Sequence, residues 1–243
     1  MADKSCLEAK ELKKIYKGRS VVDGVSLVLE SSSITGLLGP NGAGKTTTFY
    51  MIAGLIQPDG GRVFLDGQDI TDLPMHKRAN MGLTYLPQEP SVFRKLTVFE
   101  NIEVVFENKG IPKKERREKV QELLDEMGLS ALAEQKAESL SGGERRRVEV
   151  ARALATGPKF ILLDEPFAGV DPLAVADIQS IIKELRSRGI GIFLSDHNVR
   201  ETLTVCDSAY IVSSGKVIEY GSPEQIANSK IARKIYLGEE FSL

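Results

Sequence analysis

The chain has 243 residues, 42% of them hydrophobic and 27% charged, ordinary values for a soluble globular protein with one sizeable core or two unequal lobes. A net charge of −2 gives no general pull toward nucleic acid. The only cysteines, Cys6 and Cys206, have no metal-site or disulfide spacing and fit a reducing cytosol.

The opening stretch MADKSCLEAKELKK is polar and mixed in charge, without the apolar run of a signal peptide. No window approaches the roughly 18 apolar residues of a membrane span, so the expectation is no direct membrane insertion. Residues 7–38 alternate apolar and polar positions as half-buried strands do, ending in Ile34-Thr35-Gly36-Leu37-Leu38. After a glycine loop, Phe49, Ile52 and Ile56 are spaced for one buried helix face. Asp59-Gly60-Gly61 then predicts a turn into a strand over Arg62–Asp66.

Lys113–Met127 is dense in charge, with Val120, Leu123, Leu124 and Met127 at helical spacing and Gly128 as a stop. It marks a helical lobe between two stretches of α/β pattern. From residue 141 onward helix and strand alternate again. Asp171 and Pro172 open a helix with Ile178, Ile181, Ile182 and Leu185 as its apolar stripe. Gly189 ends it before a buried strand, Ile190–Leu194, and Ser222-Pro223-Glu224-Gln225 has the form of a capping box. Such alternation implies a mainly parallel sheet with crossover helices.

Gly39-Pro40-Asn41-Gly42-Ala43-Gly44-Lys45-Thr46 matches the phosphate-loop pattern GxxxxGK[ST], between an apolar strand and an amphipathic helix as that pattern requires. Glycines let successive N–H groups curl around phosphate oxygens, and the helix N-terminus adds partial positive charge. Lys45 suits the β- and γ-phosphates of ATP, and the Thr46 hydroxyl suits Mg²⁺. Phe160-Ile161-Leu162-Leu163 reads as a buried strand ending in Asp164 and Glu165, at the end where open α/β sheets bind ligands. Asp164 suits the Mg²⁺ shell, and Glu165 suits activation of an attacking water. Leu140-Ser141-Gly142-Gly143-Glu144 opens a helix expected over Arg145–Ala155. Ser141 has a plain reading as an N-cap, but two adjacent glycines offer exposed N–H groups for a second anion site.

The phosphate loop, LSGGE, ILLDEP and Ser195-Asp196-His197, in that order, resemble the ATP-binding subunits of ABC transporters over essentially the whole chain. The resemblance implies a fold of class α/β, a phosphate-loop NTPase core with an N-terminal antiparallel β subdomain and an α-helical subdomain. Residues 1–90 and 157–243 would form the core and β subdomain, and about 91–156 the helical lobe.

By the same resemblance Tyr16 would stack on adenine, Arg19 would neighbour phosphate or ribose, and Thr47 would complete the nucleotide cradle. Gln88 would reach Mg²⁺ and the attacking water, and His197 the γ-phosphate. Ser141, Gly142 and Gly143 would act on the nucleotide of a second copy, in a homodimer formed on ATP binding, and Asp171 would lie in the loop crossing that interface. Two transmembrane permease subunits would dock in a surface groove at Phe93 and Arg94, on the cytoplasmic face of the inner membrane.

TTTFYMIAGLI, YLPQEPSVFRKLTVFEN, DHNVRETL and the tail KIYLGEEFSL are more specifically similar to the ATPases of bacterial lipopolysaccharide export. Ser31-Ser32-Ser33 departs from that pattern, which has glycine in this turn. The alternatives are the ATPase of a branched-chain amino-acid importer, a soluble ABC ATPase of repair or translation, and a phosphate-loop kinase of small molecules. The last leaves LSGGE without a role.

Overall fold

The structure, a computed structural model, describes residues 4–241 and 243, without the side chains of Pro172 and Leu173. Met1, Ala2 and Asp3 of the polar opening stretch, and Ser242 of the tail, lie outside the described residues. The chain divides into two units, Met1–Tyr85 with Lys159–Leu243, and Leu86–Pro158.

The first unit opens with β1 (Cys6–Tyr16), β2 (Arg19–Glu30), β3 (Ile34–Leu38) and α1 (Lys45–Ala53). Then come β4 (Gly60–Leu65), β5 (Gln68–Asp69), α2 (Met75–Asn80) and β6 (Leu83–Leu86). The second unit contributes α3 (Val98–Asn108), α4 (Lys113–Glu126) and α5 (Gly142–Ala155). The chain returns through β7 (Phe160–Asp164), α6 (Pro172–Ser187), β8 (Gly191–Ser195) and α7 (Val199–Val205). It closes with β9 (Ser208–Ser213), β10 (Lys216–Gly221), α8 (Pro223–Asn228), α9 (Lys230–Ala232) and a π-helical turn, Arg233–Leu237.

One sheet has the order β2-β1-β4-β5 and is antiparallel throughout. Its core face is kept in phase by irregularities. Leu7 and Ala9 are buried, yet so is Leu12, of the opposite parity. A register shift between Ala9 and Leu12, with Glu11 at φ 51, turns both sets to the same face. The other sheet has the order β10-β9-β3-β8-β7-β6, with β3 parallel to β8 and β9, and β7 parallel to β8. Every residue of β3, β7 and β8 is buried, as expected for strands covered on both faces. This is the α/β architecture with an N-terminal antiparallel region implied by the sequence.

In the second unit α3, α4 and α5 pack on one another through Val98, Ile102, Phe106, Val120, Leu124 and Val148. Thr97 and Glu100 form a capping box at the start of α3, and Gly128, at φ 65, follows the end of α4.

Several element boundaries differ from the sequence expectation, each for a local reason. Helix α1 stops at Ala53 because Gly54 turns left-handed at φ 80, so Ile56 lies beyond the helix rather than on its face. Strand β4 spans Gly60–Leu65; Asp66, at φ 50, leaves the strand to accept the Cys6 N–H at 2.9 Å. Helix α5 begins at Gly142, three residues before Arg145, because the Ser141–Glu144 capping box already satisfies its first turn. At the serine turn, Ser32 itself adopts φ 61. The turn keeps the left-handed backbone that glycine would take at less cost, and its N–H is satisfied by the Gly189 carbonyl at 3.1 Å.

Candidate nucleotide site

Strand β3 delivers the chain to Gly39 at the carboxyl end of the parallel sheet. Gly39 sits at φ 150, and a Cβ there would lie 2.0 Å from the Val212 carbonyl oxygen, so no side chain fits. Gly44, at φ 101, is the N-cap of α1 and supplies no side-chain cap. The first N–H groups of α1 are therefore left for a ligand. Lys45 folds back over the loop, its Nζ donating to the carbonyls of Gly39 (2.6 Å) and Pro40 (3.1 Å). Burial pulls its ammonium below the usual lysine range, opposed by Glu165 and Asp196.

A cavity of about 430 Å³ lies over this helix end, lined by Val21, Asn41, Gly42, Ala43, Gly44, Lys45, Thr46, Thr47, Glu165 and His197. An adjoining cavity of about 590 Å³ shares Val21, Asn41, Gly42 and Ala43 and adds Arg19, Ser20, Pro40, Ser213 and Ser214. Phosphate-loop, acid and histidine positions far apart in sequence thus meet around one space. Tyr16 lines neither cavity; it ends β1, pairs across the hairpin with Arg19, is 46% exposed, and has the Lys14 ammonium 5.6 Å from its ring.

The two acids at the end of β7 are adjacent but differently placed. Asp164 is 5% exposed and accepts a hydrogen bond from the Tyr85 hydroxyl at 3.0 Å. Burial pushes its carboxyl up, and the Tyr85 bond opposes that. Glu165 takes φ 43, rare for a side chain with a Cβ, while its N–H donates to the Ser195 carbonyl at 2.7 Å. The twist turns the chain at the strand end, and the Glu165 side chain lines the cavity. His197 Nδ1 is 3.6 Å from Glu165 Oε2, too far for a good hydrogen bond but within electrostatic reach. Thr46 is exposed at the first turn of α1.

Sequence reading missed two supports of this site. Asp196 is fully buried and accepts the N–H groups of Phe167 and Asn198, each at 2.8 Å, tying the loop after Glu165 to the loop that carries His197. Burial pushes its carboxyl up, opposed by those backbone bonds. Tyr85 is the other. A lone aspartate before a histidine carries no such signal, whereas a tyrosine at a half-buried strand position invited a search for its hydroxyl partner.

The donor set suits Mg²⁺, which keeps several waters and takes few protein ligands beside phosphate oxygens. Among the described residues no group of three or more His, Cys, Asp or Glu forms a metal cage. A hydroxyl at Thr46 and a carboxylate at Asp164 are hard oxygen donors of the required kind.

The remaining candidates belong to the second unit, except Asp171. Gln88 is exposed. Ser141 caps α5: its Oγ accepts from Glu144 N at 3.3 Å, and its own N–H donates to Glu144 Oε2 at 2.7 Å. Gly142 and Gly143 occupy the first turn with open space where a Cβ would stand. Phe93 is 47% exposed, with the Arg152 guanidinium 4.4 Å from its ring. Its backbone is clamped by the buried Asn101, whose Oδ1 accepts from Phe93 N at 2.8 Å and whose Nδ2 donates to Phe93 O at 3.1 Å. Arg94 is exposed. Asp171, in the first unit, accepts the N–H of Ala174 through its carbonyl at 2.9 Å, opening α6.

The family model described as "ABC transporter" matches residues 22–168. The lipopolysaccharide export system ATP-binding protein LptB of Haemophilus influenzae is 58% identical over 240 residues, covering 98% of this chain and 100% of that protein. The protein of the same name from Escherichia coli is 53% identical over 98% of this chain and 99% of its own length. Among solved structures, the ADP conformation of an ATP-binding cassette of an ABC transporter superposes with a TM-score of 0.86 at 30% identity, covering 97% of this chain and 99% of that one. A nucleotide-free cassette from an ABC transporter gives a TM-score of 0.84 at 31% identity, over 97% and 100% of the two chains. With the phosphate loop, Glu165 and His197 lining one cavity at the start of α1, and with a family model spanning more than half its length, the chain belongs to the ABC transporter family as one of its ATP-binding subunits.

Proposed function

We propose that this subunit hydrolyses Mg·ATP to drive the extraction and export of lipopolysaccharide from the inner membrane. The supporting observation is the single cavity lined by Lys45, Thr46, Glu165 and His197, together with high identity over full length to proteins named for that export system. In this reading Gly39–Thr47 cradle the phosphates and Lys45 leaves its two carbonyl partners for the β- and γ-phosphates. Arg19 borders the ribose or phosphates, and Tyr16 stacks on the base. Thr46 and Asp164 would hold Mg²⁺, with Gln88 as a further candidate ligand, and the ion would supply positive charge to the β- and γ-phosphate oxygens. Glu165 takes a proton from the attacking water, and His197 faces the γ-phosphate.

Hydrolysis waits for a second copy. Gly142 and Gly143 of one chain, with Ser141 beside them, bring N–H donors to the γ-phosphate held by the other, with Asp171 at the dimer interface. The exposed Phe93 and Arg94 receive a short cytoplasmic helix from each of two permease chains, which holds the subunit on the cytoplasmic face of the membrane. Among the described residues no helix is long and apolar enough to cross a membrane itself.

Glu165→Gln tests the reading. The amide keeps shape while losing the proton acceptor, so ATP binding is retained and turnover falls by about 10²-fold or more. Mg·ATP then raises the dimer fraction of this variant on sizing, and membranes yield the subunit bound to its permease chains. Near-normal turnover, or a dimer fraction indifferent to ATP at high protein concentration, refutes it.

A further inference from the structure

Tyr85, on β6 and 79 positions away from Asp164, donates its hydroxyl to Asp164 Oδ2 at 3.0 Å. Its ring is held on two sides. Phe49 meets it edge-on at 6.2 Å between centroids and 62°, and Tyr50 at 6.2 Å and 87°. Phe49 is itself stacked on Phe193 of β8 at 5.1 Å and 17°. The Tyr50 hydroxyl also lies beside the Asp164 carboxylate.

This cluster has a specific relation to the metal donors assigned above. Thr46 stands in the first turn of α1, and Tyr50 follows it at i+4, on the same helix face one turn along. One end of the cluster is therefore fixed to the helix that carries the hydroxyl donor, and the other to the carboxylate at the end of β7. The choice of phenol is chemically informative. A buried carboxylate without a donor is costly and free to rotate. A lysine or arginine in its place would hold the carboxylate but would set a positive charge against a divalent cation. A tyrosine hydroxyl supplies the bond and no charge.

Resting on the reading of Asp164 as a Mg²⁺ ligand, we propose that Tyr85, backed by Tyr50, is a positioning residue that fixes the Asp164 carboxylate in the orientation that receives the metal of bound nucleotide. Outer partners of metal-binding carboxylates are worth about 10- to 100-fold in metal affinity, and a single neutral donor belongs at the low end. The competing account is a buried tyrosine that satisfies its hydroxyl on the nearest acceptor and serves the core alone.

The experiment uses the full chain in the Glu165→Gln background, with Mn²⁺ as the probe of the Mg²⁺ position, free Mn²⁺ being followed by electron paramagnetic resonance in the presence of ATP. Tyr85→Phe removes one oxygen and keeps the ring. The expected result is a half-saturating Mn²⁺ concentration raised about tenfold, with ATP affinity in excess chelator within about twofold of the parent. Added to Asp164→Asn, the same substitution produces no further loss, because the oxygen it positions is gone. Tyr50→Phe gives an independent, smaller rise, and stands in if Tyr85→Phe does not fold. Unchanged Mn²⁺ affinity in whichever of these variants folds overturns the proposal. So does an equal loss of metal-dependent and metal-free ATP binding, the mark of general loosening. If Asp164→Asn itself leaves Mn²⁺ affinity intact, the metal-ligand assignment falls first and the proposal with it.

Discussion

Arg78 is the largest fully buried side chain in the structure, and removing it tests how the nucleotide helix is anchored. Its guanidinium donates to four backbone carbonyls: Leu73 (2.8 Å), Met51 (2.8 Å), Ile52 (2.6 Å) and Thr71 (2.7 Å). Met51 and Ile52 belong to the last turn of α1, whose carbonyls have no intrahelical partners and carry the negative end of the helix dipole. Burial lowers the guanidinium to about 10, so it remains charged at neutral pH. In Arg78→Met, Met51 O keeps the Gly54 N–H at 3.3 Å, while the other three carbonyls lose a charged donor. At about 1 kcal/mol or somewhat more for each orphaned acceptor, the loss is ~3–5 kcal/mol. At ~2–4 °C per kcal/mol for a chain of this size, the melting temperature falls by about 10 °C. Thermal unfolding followed by circular dichroism measures it. Arg78→Lys keeps the charge but not the planar fork, and recovers less than half of the loss. A melting temperature within about 3 °C of the parent in Arg78→Met would refute the reasoning, since that leaves less than ~1.5 kcal/mol for all four contacts.

Two further outcomes follow from local contacts. Asp69 is held at about 2 by hydrogen bonds from Thr71, side chain then backbone, and from Arg62; a carboxyl depressed below its ordinary 3.8 stabilises the fold above that value and loses the effect as pH falls toward 2. The melting-temperature gap between the parent and Asp69→Asn is thus constant from pH 7 to 5 and narrows below pH 4, and a gap that widens on acidification contradicts the assignment. Phe93→Ala removes an exposed ring whose contact with Arg152 is worth about 0.5–1 kcal/mol, so the isolated subunit melts within a few degrees of the parent and keeps its ATPase activity, while co-purification with the permease drops; full retention on the membrane partner places the docking site elsewhere.

The parts of the fold legible in the sequence are those in which one short segment contains both cause and effect. Ser222 to Gln225 carries its own capping box, and Ser222 accepts Gln225 N as the spacing implies. Ile34–Leu38 carries a single polar side chain, Thr35, and is buried at every position. The phosphate loop is legible for the same reason, since its glycines and Lys45 act on their own backbone. What the sequence concealed is made of partners distant in the chain. Arg78 stands in the polar hexapeptide Met75–Asn80, which reads as a solvated turn of helix; only the arrival of the α1 carbonyls, 26 and 27 positions earlier, turns it into a buried anchor. The strand irregularity at Glu11 was hidden as well, because alternation counts parity and a bulge resets it.

The neighbouring acids Asp164 and Glu165 are placed so that one strand end would support the two chemistries proposed for them. Side chains of successive strand residues point to opposite faces, which separates the pair but would carry the second one away from the phosphate loop. The left-handed backbone at Glu165, φ 43, changes that direction at a cost of order 1–3 kcal/mol, and the Ser195 carbonyl holds the turn through the Glu165 N–H at 2.7 Å. Asp164 is left buried under the Tyr85 hydroxyl, in surroundings suited to the metal-ligand role proposed for it. Glu165 is left about one-third exposed on its side chain, with a histidine nitrogen 3.6 Å away, in surroundings open to the water that it would activate. A glycine at position 165 would relax the backbone and remove the carboxylate together. The strain is therefore tolerated at the one position where the proposed chemistry needs a side chain on a turn that favours none.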